Sequence, residues 1–533
     1  MPTEASAATT GGEALRFRDL PALRAWLERL PSDDSVARHA ELLAQVGALA
    51  RPPLAPAVKL ALLEELREPV ARTQSSYAEI CKGRPVPLEE GDRAIWEGVV
   101  ALWRAMAAGY EALIGELARG AGELGARAAL LCQRALRCTG AAMFEHNRVY
   151  HAVPGELWQQ LHRLYVFAEN AGVAGESLAD ALGREVRETS CAATYVHALL
   201  GQLARPDALT VRQMEVADRW LERWESLVAL RPDPVPRSGV PALAVDLASP
   251  RGVRFARELP SAGVRHLDLE PLDRELRQAL AALREGRAPR ALGLGELRRD
   301  SCANLLRKLH LQWCAAGTGR ALERTATEAR VTVAASIPAI HFHLTGRAFR
   351  PPVELTARER LELDRFGAIS DGNELGIASQ RSAAIEVWTI LDKSASGMLG
   401  ICREPRAGSR VSHNQLLGLK AAASKTIYIG VVQRLSVEAD GTILAGLRIV
   451  SSAPQAAAAR QAEAGGPETP KYDRALLLPG DAAHSVPETI LVLPGWYGPG
   501  RLLEVHADGR HRILLQALLE RGPNFERAAY SCA

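Results

Sequence analysis

The spacing of apolar residues in this chain changes period once, and that change decides which folds are open to it. From Leu20 to about Leu230 apolar side chains recur at three and four residues, as in PALRAWLERL, where Leu23, Trp26, Leu27 and Leu30 share one helical face. From about Arg320 the period drops to two, and ARVTVAASIPAIHFHL, IEVWTIL and KTIYIGVVQRLSVEADGTILAGLRIVSS alternate as half-buried strands do. A three-and-four pattern does not sit as a strand, so the two halves predict separate layers of different class.

The helical half is punctuated by breaks such as RPPLAP and resumes in VKLALLEELREPV, AIWEGVVALWRAMAAGYEALIGELA, GELWQQLHRLYVFAENAG and VRQMEVADRWLERWESLVAL. It reads as an all-helical bundle or irregular solenoid over 20–230, after a flexible terminus at 1–19. The thirty-four-residue tetratricopeptide period and its Trp, Gly, Tyr and Pro positions do not occur. The tryptophans at 26, 96, 103, 158, 220 and 224 therefore read as core residues.

RPDPVPRSGVPA (231–242) holds too many prolines for a helix and marks a boundary. A small α/β connector follows at 243–317, with strand-like PALAVDL and VRHLDL before two helices; Asp246 and Asp268 read as turn or capping residues. In the strand half, Asp440-Gly441 between two alternating runs is a strong hairpin signal. The Ala, Gly and Pro-rich 453–472 reads as a linker, and 473–533 as a strand-rich extension that continues the first barrel or makes a second one.

At 533 residues the chain exceeds the size of one core, and 47% hydrophobic with 24% charged residues is ordinary for a globular protein. Basic residues are spread along the chain, 65 against 62 acidic, so no nucleic-acid footprint is expected. The eight cysteines show no C-x-x-C pair and read as reduced thiols, mostly buried. No stretch reads as a secretory signal or a membrane span, and a bacterial-type cytoplasmic location without membrane insertion is expected.

One cluster interrupts the strands. ILDKSASGMLGI (390–401) sets Asp392, Ser394 and Gly397 as D-x-S-x-x-G between two apolar runs, a carboxylate, a hydroxyl and a glycine where two turn residues would suffice. Upstream, Arg320 and Arg324 make R-x-x-x-R just before the first strand. Paired guanidiniums suit phosphate oxygens and the O6/N7 edge of guanine, and an Asp accepts from guanine N1–H and N2–H. Both halves select a guanine nucleotide with more than one phosphate.

R-x-x-x-R before a first strand, D-x-S-x-x-G between the next two, and the hairpin IGVVQRL…GLRIV together resemble the PilZ domain, the small antiparallel β-barrel receptor family for cyclic di-GMP. The resemblance covers about 318–452, with an insertion at about 344–380. It implies a multidomain α+β protein that is a second-messenger receptor and not an enzyme. Cyclic di-GMP would be held by Arg320, Arg324, Asp392, Ser394 and Gly397, with no cofactor, metal or catalytic residue. A protein effector would be met through the helical region, in motility, pili or biofilm formation. Two departures, the long stretch between Arg324 and Asp392 and the acidic Glu323 inside the arginine pair, leave a non-binding scaffold of PilZ type as the alternative.

The other chemistry-bearing groups read as structure. His341 and His343, two apart on an expected strand, lack a third ligand beside them. Arg358, Arg360 and Arg365 read as a solvated helical face, Ser370 is not in a nucleophile elbow, and Asp371, Asn373 and Glu374 do not continue into a calcium loop.

Overall fold

A computed structural model describes residues 14–49, 54–182, 187–235, 239–260, 263–315, 325–352, 385–394, 397–402, 410–421, 424, 426–462, 471–480 and 487–533. Arg320, Glu323 and Arg324, and the 353–384 segment with Arg358, Arg360, Arg365, Ser370, Asp371, Asn373 and Glu374, lie outside the described residues. The chain divides into two compact units: 1–84 with 88–320, and 85–87 with 321–533.

The first unit holds ten helices among the described residues: α1 Leu20–Leu27, α2 Ser35–Ala48, α3 Pro56–Ala78, α4 Glu90–Ala118, α5 Ala128–Arg148, α6 Gly155–Asn170, α7 Cys191–Leu203, α8 Val211–Trp224, α9 Glu270–Arg284 and α10 Arg299–Cys314. Their starts follow local chemistry. Asp19, Asp34 and Ser190 accept hydrogen bonds from first-turn amides, and Thr210 with Gln213 closes a capping box on α8. Five of the six tryptophans singled out above, Trp26, Trp96, Trp158, Trp220 and Trp224, are buried, and Trp103 is half-buried against the cluster of Tyr77, Ala78 and Val99. The unit starts earlier than the expected flexible terminus ends, since Phe17 is buried with its ring 5.2 Å from that of Trp26.

A hairpin of β1 Leu178–Asp180 and β2 Arg187–Thr189 brings charge into this unit. Asp180 is fully buried and accepts from Arg67 at 2.6 Å; burial alone would raise its pKa, but the Arg67 guanidinium overrides this and holds it at about 2. His197 lies between Glu225 at 2.7 Å and Asp218 at 2.8 Å. The expected connector is part of this same unit: β3 Ala229–Arg231, β6 Val264–Asp268, β4 Leu243–Asp246 and β5 Arg254–Phe255 form one sheet in that order. Trp313 of α10 is buried and donates to the Leu200 carbonyl of α7 at 2.8 Å. Asp246 and Asp268 make the expected turns, accepting from Ala248 and Glu270 amides.

The second unit is two closed six-stranded barrels. The first consists of β7 Thr325–Ala334, β8 Ile385–Ser394, β9 Gly397–Cys402, β10 Leu416–Ala421, β11 Ile427–Val437 and β12 Ile443–Ser451, closed in the order β10-β11-β12-β9-β8-β7. The expected turn joins β11 to β12 around Asp440-Gly441, where Asp440 accepts from the Thr442 amide. The second barrel has β13 Gln455–Gln461, β14 Asp473–Leu478, β15 Thr489–Val492, β16 Leu502–His506, β17 Arg510–Arg521 and β18 Glu526–Cys532.

Two sequence expectations are corrected here, and one open alternative is decided. The stretch 455–461, read as part of a linker at 453–472, is strand β13: its alanines form a thin barrel wall, with Ala457 and Ala459 in the core beside Ile490, Leu503 and Leu515. The extension at 473–533 does not continue the first barrel but closes a second one with β13. Finally, IPAIHFHLT is helix α11, Ile337–Thr345, because Ser336 caps its start and Pro338 sits in the first turn. His341 and His343 therefore do not share a strand face; His341 is buried and stacks edge-on to Phe349.

Helix α11 welds the barrels. Ile337 and Ile340 pack in one cluster with Leu416, Ile429 and Val431 of the first barrel and Leu476, Leu478, Leu491 and Phe525 of the second. Asn524 adds polar stitches, donating to the carbonyls of Ala335 and Leu416 and accepting from the Leu416 amide at 2.9 Å. Seven of the eight cysteines are buried thiols, and Cys532 is exposed. No described helix is long and apolar enough to cross a membrane.

Candidate functional site

The D-x-S-x-x-G cluster occupies the end of the β8–β9 hairpin. Trp388 and Ile390 of β8 point into the barrel and are buried, and strict alternation would send residue 392 inward after them. It does not, because the pairing slips between Ile390 and Asp392: Ile390 pairs with Gly400 and Asp392 with Leu399, leaving Leu391 as an extra residue in a β-bulge. The bulge changes the phase of the strand. Asp392 and Ser394 therefore lie on the outer face, half-buried, across from Leu399 and Gly397.

Packing beneath the site is tight. Gly400 has no side chain because the Trp388 indole lies over it; a Cβ there would come 3.0 Å from Trp388 Cε3. The indole nitrogen donates to Glu386 Oε2 at 2.9 Å, which fixes the ring under the bulge. Ser394 Oγ lies 3.4 Å from the Gly397 carbonyl, a long contact across the hairpin end.

Strand β7 completes the arrangement. Thr325 pairs with Lys393 and Ala326 with Asp392, and a second bulge follows before Ala329. Arg324 is bonded to Thr325, so the R-x-x-x-R segment runs into the strand whose first residues pair with the strand that carries Asp392 and Ser394. On the other side, Arg448 of β12 pairs with Gly397 and forms an ion pair with Glu520 of β17 at 2.5 Å. Arg434 of β11 pairs with Gly446 of β12, which pairs with Leu399. Arg434 and Arg448 stand outside the two motifs read from the sequence; their place in the alternating runs of the expected hairpin IGVVQRL…GLRIV was the available signal.

Together these residues give an outer barrel face with a carboxylate and hydroxyl at its centre and arginines on the flanking strands. Such a face has the chemistry to hold an anion that also presents donor edges. Among the described residues one further group of potential metal ligands, Asp273, His310 and Cys314, lies in the first unit, where Asp273 accepts from His310 and pairs with Arg277 at 3.0 Å.

Comparison with known proteins bears on both units. Residues 21–234 match the family model described as the N-terminal domain of the cyclic-di-GMP receptor FimW, and residues 457–532 match the FimW C-terminal beta-barrel domain. The cyclic-di-GMP receptor FimW of Pseudomonas aeruginosa is 24% identical over 446 residues, covering 75% of this chain and 72% of that protein. The first barrel lies between the two matched segments. The chain is thus similar to FimW through most of its length, with a helical unit like the FimW N-terminal domain and a last barrel like the FimW C-terminal domain.

Proposed function

We propose that this protein is a receptor for cyclic di-GMP, that its first barrel is a PilZ domain, and that the nucleotide lies on the outer face at Asp392, Ser394 and Gly397 under Arg320 and Arg324. The observation that carries the proposal is the pairing of Ala326 with Asp392, which starts β7 beside the D-x-S-x-x-G strand two residues after Arg324. The name of the FimW relative supports the same ligand. Phosphates fall to the two guanidiniums, and a guanine N1–H and N2–H edge to the Asp392 carboxylate. The chemistry asked of these groups is binding without turnover. The helical unit is the region through which a protein effector would be met.

Titration of the full chain with labelled cyclic di-GMP tests this. Saturable binding near the micromolar range, about −8 kcal/mol, is expected. Absence of binding at high ligand, with a folded protein, refutes the receptor and leaves a non-binding scaffold.

A further inference from the structure

We propose that Arg434 is part of the same nucleotide site, where its guanidinium forms a flat platform on which a purine base stacks over Leu399. The proposal rests on the placement of cyclic di-GMP argued above.

Four residues form one row across four neighbouring strands: Arg434 on β11, Gly446 on β12, Leu399 on β9 and Asp392 on β8, each paired with the next. Directly paired residues project from the same side of a sheet, and Ala445, Leu447 and Ile390 in the adjoining positions are buried inside the barrel. The row is therefore external. At a strand spacing of about 4.8 Å, Arg434 and Asp392 stand roughly 14 Å apart along the backbone, a gap that an arginine side chain and a purine together span.

Arg434 reaches this position by two local irregularities. The pairing of β11 with β12 slips between Val432 and Arg434, so Gln433 is an extra residue and Arg434 is turned outward and exposed. Opposite it, Gly446 leaves the outer face without a side chain. A Cβ at 446 would lie 3.1 Å from Arg434 Cβ, 3.4 Å from Cγ and 3.3 Å from Cδ, so the aliphatic stem lies flat across β12. A stem held against backbone gives up rotamer freedom before a ligand arrives, which favours a fixed platform over a roaming charge.

The neighbouring chemistry selects a base for this place. Leu399, half-buried on the same face, offers an apolar floor, and Asp392 beyond it accepts from a purine edge. Guanidinium planes stack on bases, whereas an ammonium offers only a point charge.

Binding of labelled cyclic di-GMP to the full-length wild type and to Arg434→Ala, Arg434→Lys and Gly446→Val decides the matter, with circular dichroism confirming each fold. Arg434→Ala is expected to weaken binding about tenfold, and Arg434→Lys to leave that loss in place because the plane is gone. Gly446→Val is expected to weaken it similarly by lifting the stem. Wild-type affinity in Arg434→Ala overturns the proposal, and so does full recovery in Arg434→Lys, which would make the contact a simple charge. Should Gly446→Val misfold, the two Arg434 variants still decide. Failure of the wild type itself to bind refutes the receptor, whereas wild-type binding with an indifferent Arg434 refutes only the platform.

Discussion

Ala326 of β7 pairs with Asp392 of β8, and Arg324 precedes Ala326 by two residues. The strand that follows the R-x-x-x-R motif in the chain therefore pairs with the strand that carries D-x-S-x-x-G.

Replacing Arg324 with Ala is expected to cost about 1.5–3 kcal/mol of cyclic di-GMP affinity, the range of a charge-assisted hydrogen bond. Arg320→Ala is expected to act in the same direction. Calorimetric titration reads both, and unchanged affinity in both variants would remove the arginine segment from the site.

Asp392→Ala should weaken cyclic di-GMP more than cyclic di-AMP, because adenine lacks the N1–H and N2–H donors a carboxylate accepts. Ser394→Ala is expected to lose about 1 kcal/mol, the net worth of a neutral hydrogen bond. Competition assays with both nucleotides check this; equal losses for the two would mean that Asp392 acts through folding.

The bulge at Leu391 makes a prediction about faces that needs no ligand. With the exposed Cys532 replaced by serine, Asp392→Cys and Ser394→Cys should react readily with a maleimide, while Ile390→Cys, pointing into the barrel, should be protected. Mass spectrometry of the labelled chain gives the answer, and equal reactivity at 390 and 392 would contradict the phase change.

In the helical unit, burial would lower the pKa of His197, but the Asp218 and Glu225 carboxylates outweigh burial and raise it from 6.5 to about 9. A raised folded-state value means the charged imidazolium stabilises fully below about pH 6.5, and this contribution is lost as pH rises through about 9. Denaturant unfolding of wild type and His197→Gln should therefore show a stability difference at pH 6 that shrinks by pH 9.5. A difference independent of pH would mean that folding leaves the pKa of this histidine unshifted.

Much of the fold is legible in the sequence because it is set by neighbours in the chain. The three-and-four spacing of Leu23, Trp26 and Leu27, the caps at Asp19 and Thr210, and the Asp440-Gly441 turn are local devices that act whatever the rest of the molecule does. The D-x-S-x-x-G cluster is equally local, and its three residues stand at one hairpin end as their spacing implies.

What the tertiary structure alone decided involves partners far apart in sequence. The alanines of β13 look like a linker until β14 and β16 pair with them and bury their faces in a second barrel. The outward turn of Asp392 comes from one unpaired residue, Leu391, whose place is fixed by the register of β9 and not by its own side chain. Arg434 joins that face only because β11, β12, β9 and β8 close side by side, and because Gly446 leaves its stem a bed. Alternation along a strand is a local rule, whereas register, bulges and barrel closure are set by hydrogen bonds between distant strands, and those bonds chose which residues share this outer face.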